Sequence, residues 1–262
     1  MILDRFRLTD KVAIVTGAGR GIGAGIAQAI AEAGAHVVCA ARTPEQIEGT
    51  AERIRAKGRR SLAVPCDVNE RQQLEQLVAA TMREFGRIDV LVNNAGGTPP
   101  SPALRTSERM FEEAFHFNVT TAFLMSRFVI PHMLAADGGT IVNISSALSH
   151  FVERAFVAYG TAKAALNHMT RLLAHEFAPR VRVNALAVGS VETEALAPFL
   201  ASGNLRQEME ALTPMRRLGT IEDVALAALY LVSPASSWVT GKVFEIDGGT
   251  VASNWPLDLS ET

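Results

Sequence analysis

The feature that most constrains this chain is a set of short runs that are apolar at every position rather than at every second one. Val12-Ala13-Ile14-Val15, Val37-Val38-Cys39-Ala40, Val90-Leu91-Val92 and Ile141-Val142-Asn143-Ile144 are examples. A strand with one face in water alternates, whereas a strand apolar on both faces belongs to a parallel sheet covered by helices. Strands are expected near 12–16, 36–41, 61–66, 88–93, 139–145, 181–187 and 242–247. Helical patterns fall between them, near 22–34, 44–57, 70–85, 107–134, 157–178 and 221–232. In the first, Ile22, Ile26 and Ile30 make one apolar stripe. The second opens on Thr43-Pro44-Glu45-Gln46, which reads as a capping box with proline at the first helical position. Strict alternation implies right-handed crossovers and a doubly wound α/β sheet with helices on both faces. All 262 residues read as one domain, with a strand-poor insertion at about 189–219.

Charge removes several function classes. The net charge is −2 and the pI about 6.3, so no field of one sign attracts nucleic acid or an anionic membrane, and neither is expected as a partner. The basic cluster from Lys57 to Arg60 reads as a solvated helix terminus. The two cysteines, Cys39 and Cys66, sit in apolar runs and read as buried reduced thiols. Asp4, Arg5, Arg7 and Asp10 interrupt the N-terminus, which lacks the apolar stretch of a signal peptide. No run approaches the roughly 18 apolar residues of a membrane span, so a cytoplasmic protein is expected. The six histidines show no metal-ligand spacing, and no metal is expected.

The first strand runs directly into Thr16-Gly17-Ala18-Gly19-Arg20-Gly21-Ile22-Gly23, which opens the first helix. Glycines there permit a tight turn and close backbone approach, and the N–H groups of the helix N-terminus favour a pyrophosphate. The spacing Gly17-x-x-x-Gly21-x-Gly23 resembles that of the short-chain dehydrogenase/reductase family. Asp67, Asn93-Asn94-Ala95-Gly96, Asn118, Ser146, Tyr159-x-x-x-Lys163 and Asp247-Gly248-Gly249 extend the likeness from about residue 9 to 250. Pro214 to Gly219 and Ser233 to Val239 resemble the bacterial 7α-hydroxysteroid dehydrogenase branch. The resemblance implies a seven-stranded Rossmann-like sheet and a homotetramer or homodimer. It also implies a dinucleotide held by Gly17, Arg20, Gly21, Ile22, Gly23, Asp67, Val68, Asn94, Ala95 and Gly96, then by Gly189, Val191 and Thr193.

Cofactor choice is a matter of charge. NAD enzymes place a carboxylate at the end of the second strand for the ribose 2′-hydroxyl. Here that position reads Ala40-Ala41-Arg42-Thr43, and Arg42 is a planar cation suited to a phosphate. Arg20 adds a second charge, so NADP(H) is favoured, with NAD(H) the alternative.

Tyr159 and Lys163 lie one helical turn apart on one face. A free phenol titrates near 10, too high for ready proton exchange, and an adjacent ammonium lowers that value. The resemblance assigns Ser146 to orienting the substrate oxygen and Tyr159 to proton transfer. It assigns Lys163 to the nicotinamide ribose and Asn118 to a water path. One departure is Val188, where the family usually has proline before the glycine that here is Gly189.

Apolar residues near the expected nicotinamide point to a bulky ketone or secondary alcohol. They are Ala147, Leu148, Phe151, Val152 and Phe156, then Val191, Leu196, Phe199, Leu200, Leu205, Met209 and Leu212, with Gly203 and Met209 read as parts of a lid. An anionic substrate needs a cation, for which Arg154 and Arg206 are the candidates. Two alternatives stand beside this reading: a 3-oxoacyl-[acyl-carrier-protein] reductase, and a dinucleotide-binding sensor or scaffold without catalysis. The segment His132 to Gly138 has no basic residue for an acidic carrier protein, and the Asn-Ser-Tyr-Lys set is complete.

Overall fold

Alternation of side chains across each strand explains the unbroken apolar runs. In β1 (Val12–Thr16), Ala13 and Val15 enter one core and Ile14 the other; in β2 (His36–Ala41), Val37 and Cys39 enter the first, Val38 and Ala40 the second. The computed structural model describes residues 1–194, 196–201 and 204–256, without the side chains of Pro198 and Phe199. The remaining strands are β3 (Ser61–Pro65), β4 (Val90–Asn93), β5 (Gly139–Ser146), β6 (Val181–Val188) and β7 (Val243–Ile246). All seven are parallel, in the order β3-β2-β1-β4-β5-β6-β7.

The first core receives α1 (Gly21–Glu32), α2 (Pro44–Ala56) and α9 (Ile221–Val232). The second receives α3 (Arg71–Phe85), α5 (Thr121–Ala135) and α6 (Val157–Phe177). This is the doubly wound α/β sheet expected from the sequence. Winding reverses between β1 and β4, so a crevice opens at their C-terminal ends. At the opposite ends, the Asp89 carboxylate accepts from the Val12 N–H (2.9 Å), Lys11 Nζ (3.1 Å) and Arg87 Nε (2.8 Å).

Two local expectations need correction. The stretch 107–134 is not one helix: α4 (Glu108–Phe115) and α5 are separated by a π-turn at His116–Thr120. Asn118 Nδ2 donates to the Ala114 carbonyl at 2.8 Å, inserting a side chain into the backbone ladder. No capping box forms at α2, because the Thr43 side chain caps nothing and Gln46 packs beside Gly19. The basic cluster stands, as expected, at the exposed end of α2, where Lys57 reaches Glu32 at 2.7 Å and Arg60 reaches Glu84 at 2.6 Å.

The insertion contains α7 (Ala197–Leu200) and α8 (Leu205–Leu212). Leu205, Met209 and Leu218 form a small core of their own, with Leu196, Leu200 and Trp255 packed against it. Met209 is wholly buried there, so it is a core residue rather than part of a lid. Gly203 and the Phe199 side chain lie outside the described residues. Cys39 and Cys66 are free and buried, and burial pushes both thiols up to about 11. Among the described residues, no helix is long and apolar enough to cross a membrane.

Candidate active site

A cleft of about 660 Å³ occupies the crevice beyond β1 and β4. Its floor is the turn after β1, where Gly17 (φ +65°) and Gly21 (φ +54°) take backbone conformations that disfavour side chains. A Cβ on Gly23 would lie 2.2 Å from the Gly17 carbonyl oxygen, so Gly23 serves the turn's packing and does not line the cleft. Asn94 Nδ2 donates to the Thr16 and Gly17 carbonyls at 3.0 and 3.2 Å. The Thr16 hydroxyl in turn accepts from the N–H groups of Asn94 (3.0 Å) and Ala95 (3.1 Å).

Most of the expected cofactor residues border this cleft: Gly17, Arg20, Gly21, Ile22, Arg42, Asp67, Val68, Asn94, Ala95, Gly96, Gly189 and Thr193. Val191 does not; it is buried in the first core and bridges to Gly219. Asp67 Oδ1 accepts from the Asn69 backbone and side chain at 3.0 Å and caps no helix. Arg20 Nη1 lies 3.3 Å from Glu194 Oε2, a carboxylate the sequence reading missed because the two are 174 residues apart. Gln46, Cys66 and Phe117 also line the cleft without a sequence signal. Val188 ends β6, and a Cβ on Gly189 would lie 2.7 Å from Asp247 Cβ, which explains glycine there.

Ser146, Tyr159 and Lys163 meet at one end of the cleft. Ser146 and Tyr159 both border the cleft here, and Ser146 Oγ accepts from the Leu148 N–H at 3.2 Å. Ser145 turns its hydroxyl to the Lys163 carbonyl at 3.4 Å. Lys163 is 4% exposed; its Nζ donates to the Ile144 carbonyl at 2.9 Å and lies 5.6 Å from the Tyr159 ring centroid. A Cβ on Gly96 would lie 3.0 Å from that Nζ and 2.9 Å from Asn118 Oδ1. Asn118 itself stands behind the cleft: its Oδ1 accepts the Gly97 N–H at 2.9 Å, and its Nδ2 reaches Thr98 Oγ1 at 3.2 Å.

Without a cofactor, burial dominates the electrostatics of the phenol. Burial raises the Tyr159 pKa, and the Ser146 hydrogen bond only opposes that rise. Burial likewise pushes the Lys163 ammonium down to about 8.

A second cleft of about 640 Å³ lies beside Tyr159, lined by Leu104, Leu148, Phe151, Val152, Phe156 and Arg154 among others. The Phe156 ring is 6.3 Å from Tyr159 and 6.2 Å from Trp255, centroid to centroid. Of the expected apolar wall, Leu205 and Met209 belong instead to the small core and Leu212 is exposed. Arg206 is held by Glu192 (2.6 Å) and Glu210 (3.3 Å). Among the described residues, His150, Glu245 and Asp247 bring ligating atoms within 4.8 Å of one another, but none lines the Tyr159 cleft.

A family profile described as enoyl-(acyl carrier protein) reductase matches residues 17–251. An uncharacterised oxidoreductase of Mycobacterium tuberculosis (strain CDC 1551 / Oshkosh) is 49% identical over 262 residues, covering 100% of both chains. The 7α-hydroxysteroid dehydrogenase of Escherichia coli (strain K12) is 37% identical over 249 residues, covering 95% of this chain and 97% of its own. A solved structure of 7α-hydroxysteroid dehydrogenase complexed with NADH and 7-oxo glycochenodeoxycholic acid matches with a TM-score of 0.92 at 37% identity, covering 96% of this chain and 98% of that one.

The buried ammonium has a measurable consequence. Below pH 8, Lys163 is charged in both folded and unfolded chains, and folding bears the full desolvation penalty, up to about 3 kcal/mol for a fall from 10.5 to about 8. Between the folded value and the unfolded value of about 10.4, the unfolded chain binds more protons and stability rises with pH. Lys163→Met should therefore stabilise the cofactor-free protein at pH 7 by about 1–3 kcal/mol, with the gain fading above pH 8. Urea unfolding across that pH range checks both sign and window.

Proposed function

The chain belongs to the short-chain dehydrogenase/reductase family, and from that premise we propose an NADP(H)-dependent enzyme interconverting a secondary alcohol and a ketone on a bulky, largely apolar substrate. Family membership makes it an oxidoreductase acting on alcohol groups. The observation that carries the finer reading is the gathering of Ser146, Tyr159 and Lys163 in the glycine-floored cleft, with Phe156 of the apolar cleft packed 6.3 Å from the Tyr159 ring.

The cleft fits a dinucleotide. The α1 N-terminus, which no side chain caps, directs N–H groups at a pyrophosphate, and Gly21 has no side chain to block its approach. In this reading Gly17, Gly21 and Ile22 hold the pyrophosphate, with Gly23 packing the turn and Val191 backing the strap that carries Thr193. Asp67 and Val68 meet the adenine, Asn94, Ala95 and Gly96 line the groove, Gly189 and Thr193 close it, and Lys163 with Tyr159 meets the nicotinamide ribose. Arg42, exposed at the cleft edge, faces the 2′-phosphate. When bound, the cofactor supplies or accepts the hydride.

The chain's own residues handle the oxygen and its proton. Ser146 fixes a carbonyl oxygen at the Tyr159 hydroxyl, and Tyr159 donates its proton to that oxygen or takes it back from an alcohol. A phenol that burial keeps protonated serves as the donor in ketone reduction. Lys163 sets positive charge beside the phenol, and Asn118 holds the Gly97–Thr98 loop from behind and starts the water path that replenishes Lys163. Exposed Phe115, Phe123 and Leu172 support a homodimer or homotetramer, and a cytoplasmic setting is part of the same reading. The insertion at about 189–219 completes a single domain.

Tyr159→Phe should remove nearly all turnover and leave the dinucleotide Kd within about threefold of the parent; activity within about tenfold would take Tyr159 out of this role. Arg42→Ala should weaken NADPH by about 1–3 kcal/mol and NADH far less, measured by calorimetric titration. Equal losses would mean that Arg42 does not meet the phosphate. Across decalones, steroid ketones, short oxo acids and acyl thioesters, kcat/KM should be highest for the polycyclic ketones. A preference for thioesters would instead favour an acyl-carrier-protein reductase.

A further inference from the structure

Arg20 stands at the N-cap of α1, and its side chain makes no cap there. Its guanidinium is instead paired at 3.3 Å with Glu194, which arrives from the segment after β6. Both side chains border the same cleft as Arg42 and Thr43. The turn that carries Arg20 is pressed against the end of β2: a Cβ on Gly19 would lie 2.9 Å from Gln46 Cβ and 3.7 Å from Ala41 Cβ. The end of the second strand is where a dinucleotide's ribose 2′ position is read in this architecture. Thr193 packs 3.8 Å from where Gly21 would carry a Cβ, so the strap bearing Glu194 crosses the α1 N-terminus.

We propose that Glu194 is a cofactor-specificity residue, which competes with the 2′-phosphate of a dinucleotide for the Arg20 guanidinium. This deepens, and rests on, the reading that the chain uses NADP(H). The pair is 58% and 67% exposed, so its attraction is weak and a phosphate can displace it. A phosphate monoester carries a charge of about −1.5 to −2 and takes two parallel N–H bonds from arginine. A dinucleotide ending in a 2′-hydroxyl asks nothing of Arg20, and the pair stays closed. Glu194 therefore narrows the margin between the two cofactors.

The test is calorimetric titration of the parent, Glu194→Gln, Arg20→Gln and the double variant with NADPH and with NADH. Glu194→Gln should tighten NADPH about fivefold and NADH by less than about twofold, the scale of an exposed ion pair. The gain should shrink at high ionic strength and vanish in the Arg20→Gln background. Equal changes for the two cofactors, weaker NADH binding, or an undiminished gain without Arg20 would each overturn the proposal. The parent's own NADPH-to-NADH ratio tests the cofactor reading separately, because the change on Glu194→Gln is defined whichever cofactor the parent prefers.

Discussion

The Thr16 hydroxyl holds the architecture together where it matters most. It accepts two consecutive N–H groups from the end of β4, and Asn94 returns hydrogen bonds to the end of β1. These contacts fix the separation of the two strands at the point where winding reverses. The turn after β1 can then be floored with glycines, and the chain leaving β4 runs through Gly96 to within contact of Lys163 and Asn118. Asp89 performs the same joining at the far ends, with burial raising its pKa and hydrogen bonds from Arg87, the Val12 N–H and Lys11 more than compensating. β1 and β4 are thus pinned at both ends, and the cleft inherits that rigidity.

Against this frame Tyr159 and Lys163 are held at an electrostatic disadvantage. Burial opposes the charged form of both Tyr159 and Lys163, and among the described residues a single carbonyl, that of Ile144, receives the ammonium. Positions that disfavour stability so plainly are candidates for a functional site.

Much of the fold was legible in the sequence because parallel strands buried on both faces leave an unmistakable pattern, and the structure keeps each strand within two residues of its expected limits. Features decided by one side chain were not legible. Asn118 competes for the Ala114 carbonyl and opens a π-turn inside an otherwise periodic stretch. Gln46 satisfies the letters of a capping box yet packs against the glycine turn. Some of the insertion's apolar residues must pack against the protein itself, and periodicity cannot say which; Leu205 and Met209 cover each other. The lowering of the Tyr159 pKa is expected from the lysine, a nicotinamide ring and hydrogen bonds together, whereas in the chain alone desolvation is the larger effect. The Arg20–Glu194 pair joins segments that share no local pattern at all.

The small core of Leu205, Met209 and Leu218 is separate from the two cores that sandwich the sheet. Substitutions within it share few neighbours with those beneath the strands, so their effects on stability should add almost independently. Such independence is a form of evolvability. A lineage can rewrite the α7–α8 segment, and with it the company the cleft keeps, while selection on the sheet and its glycine turn proceeds undisturbed.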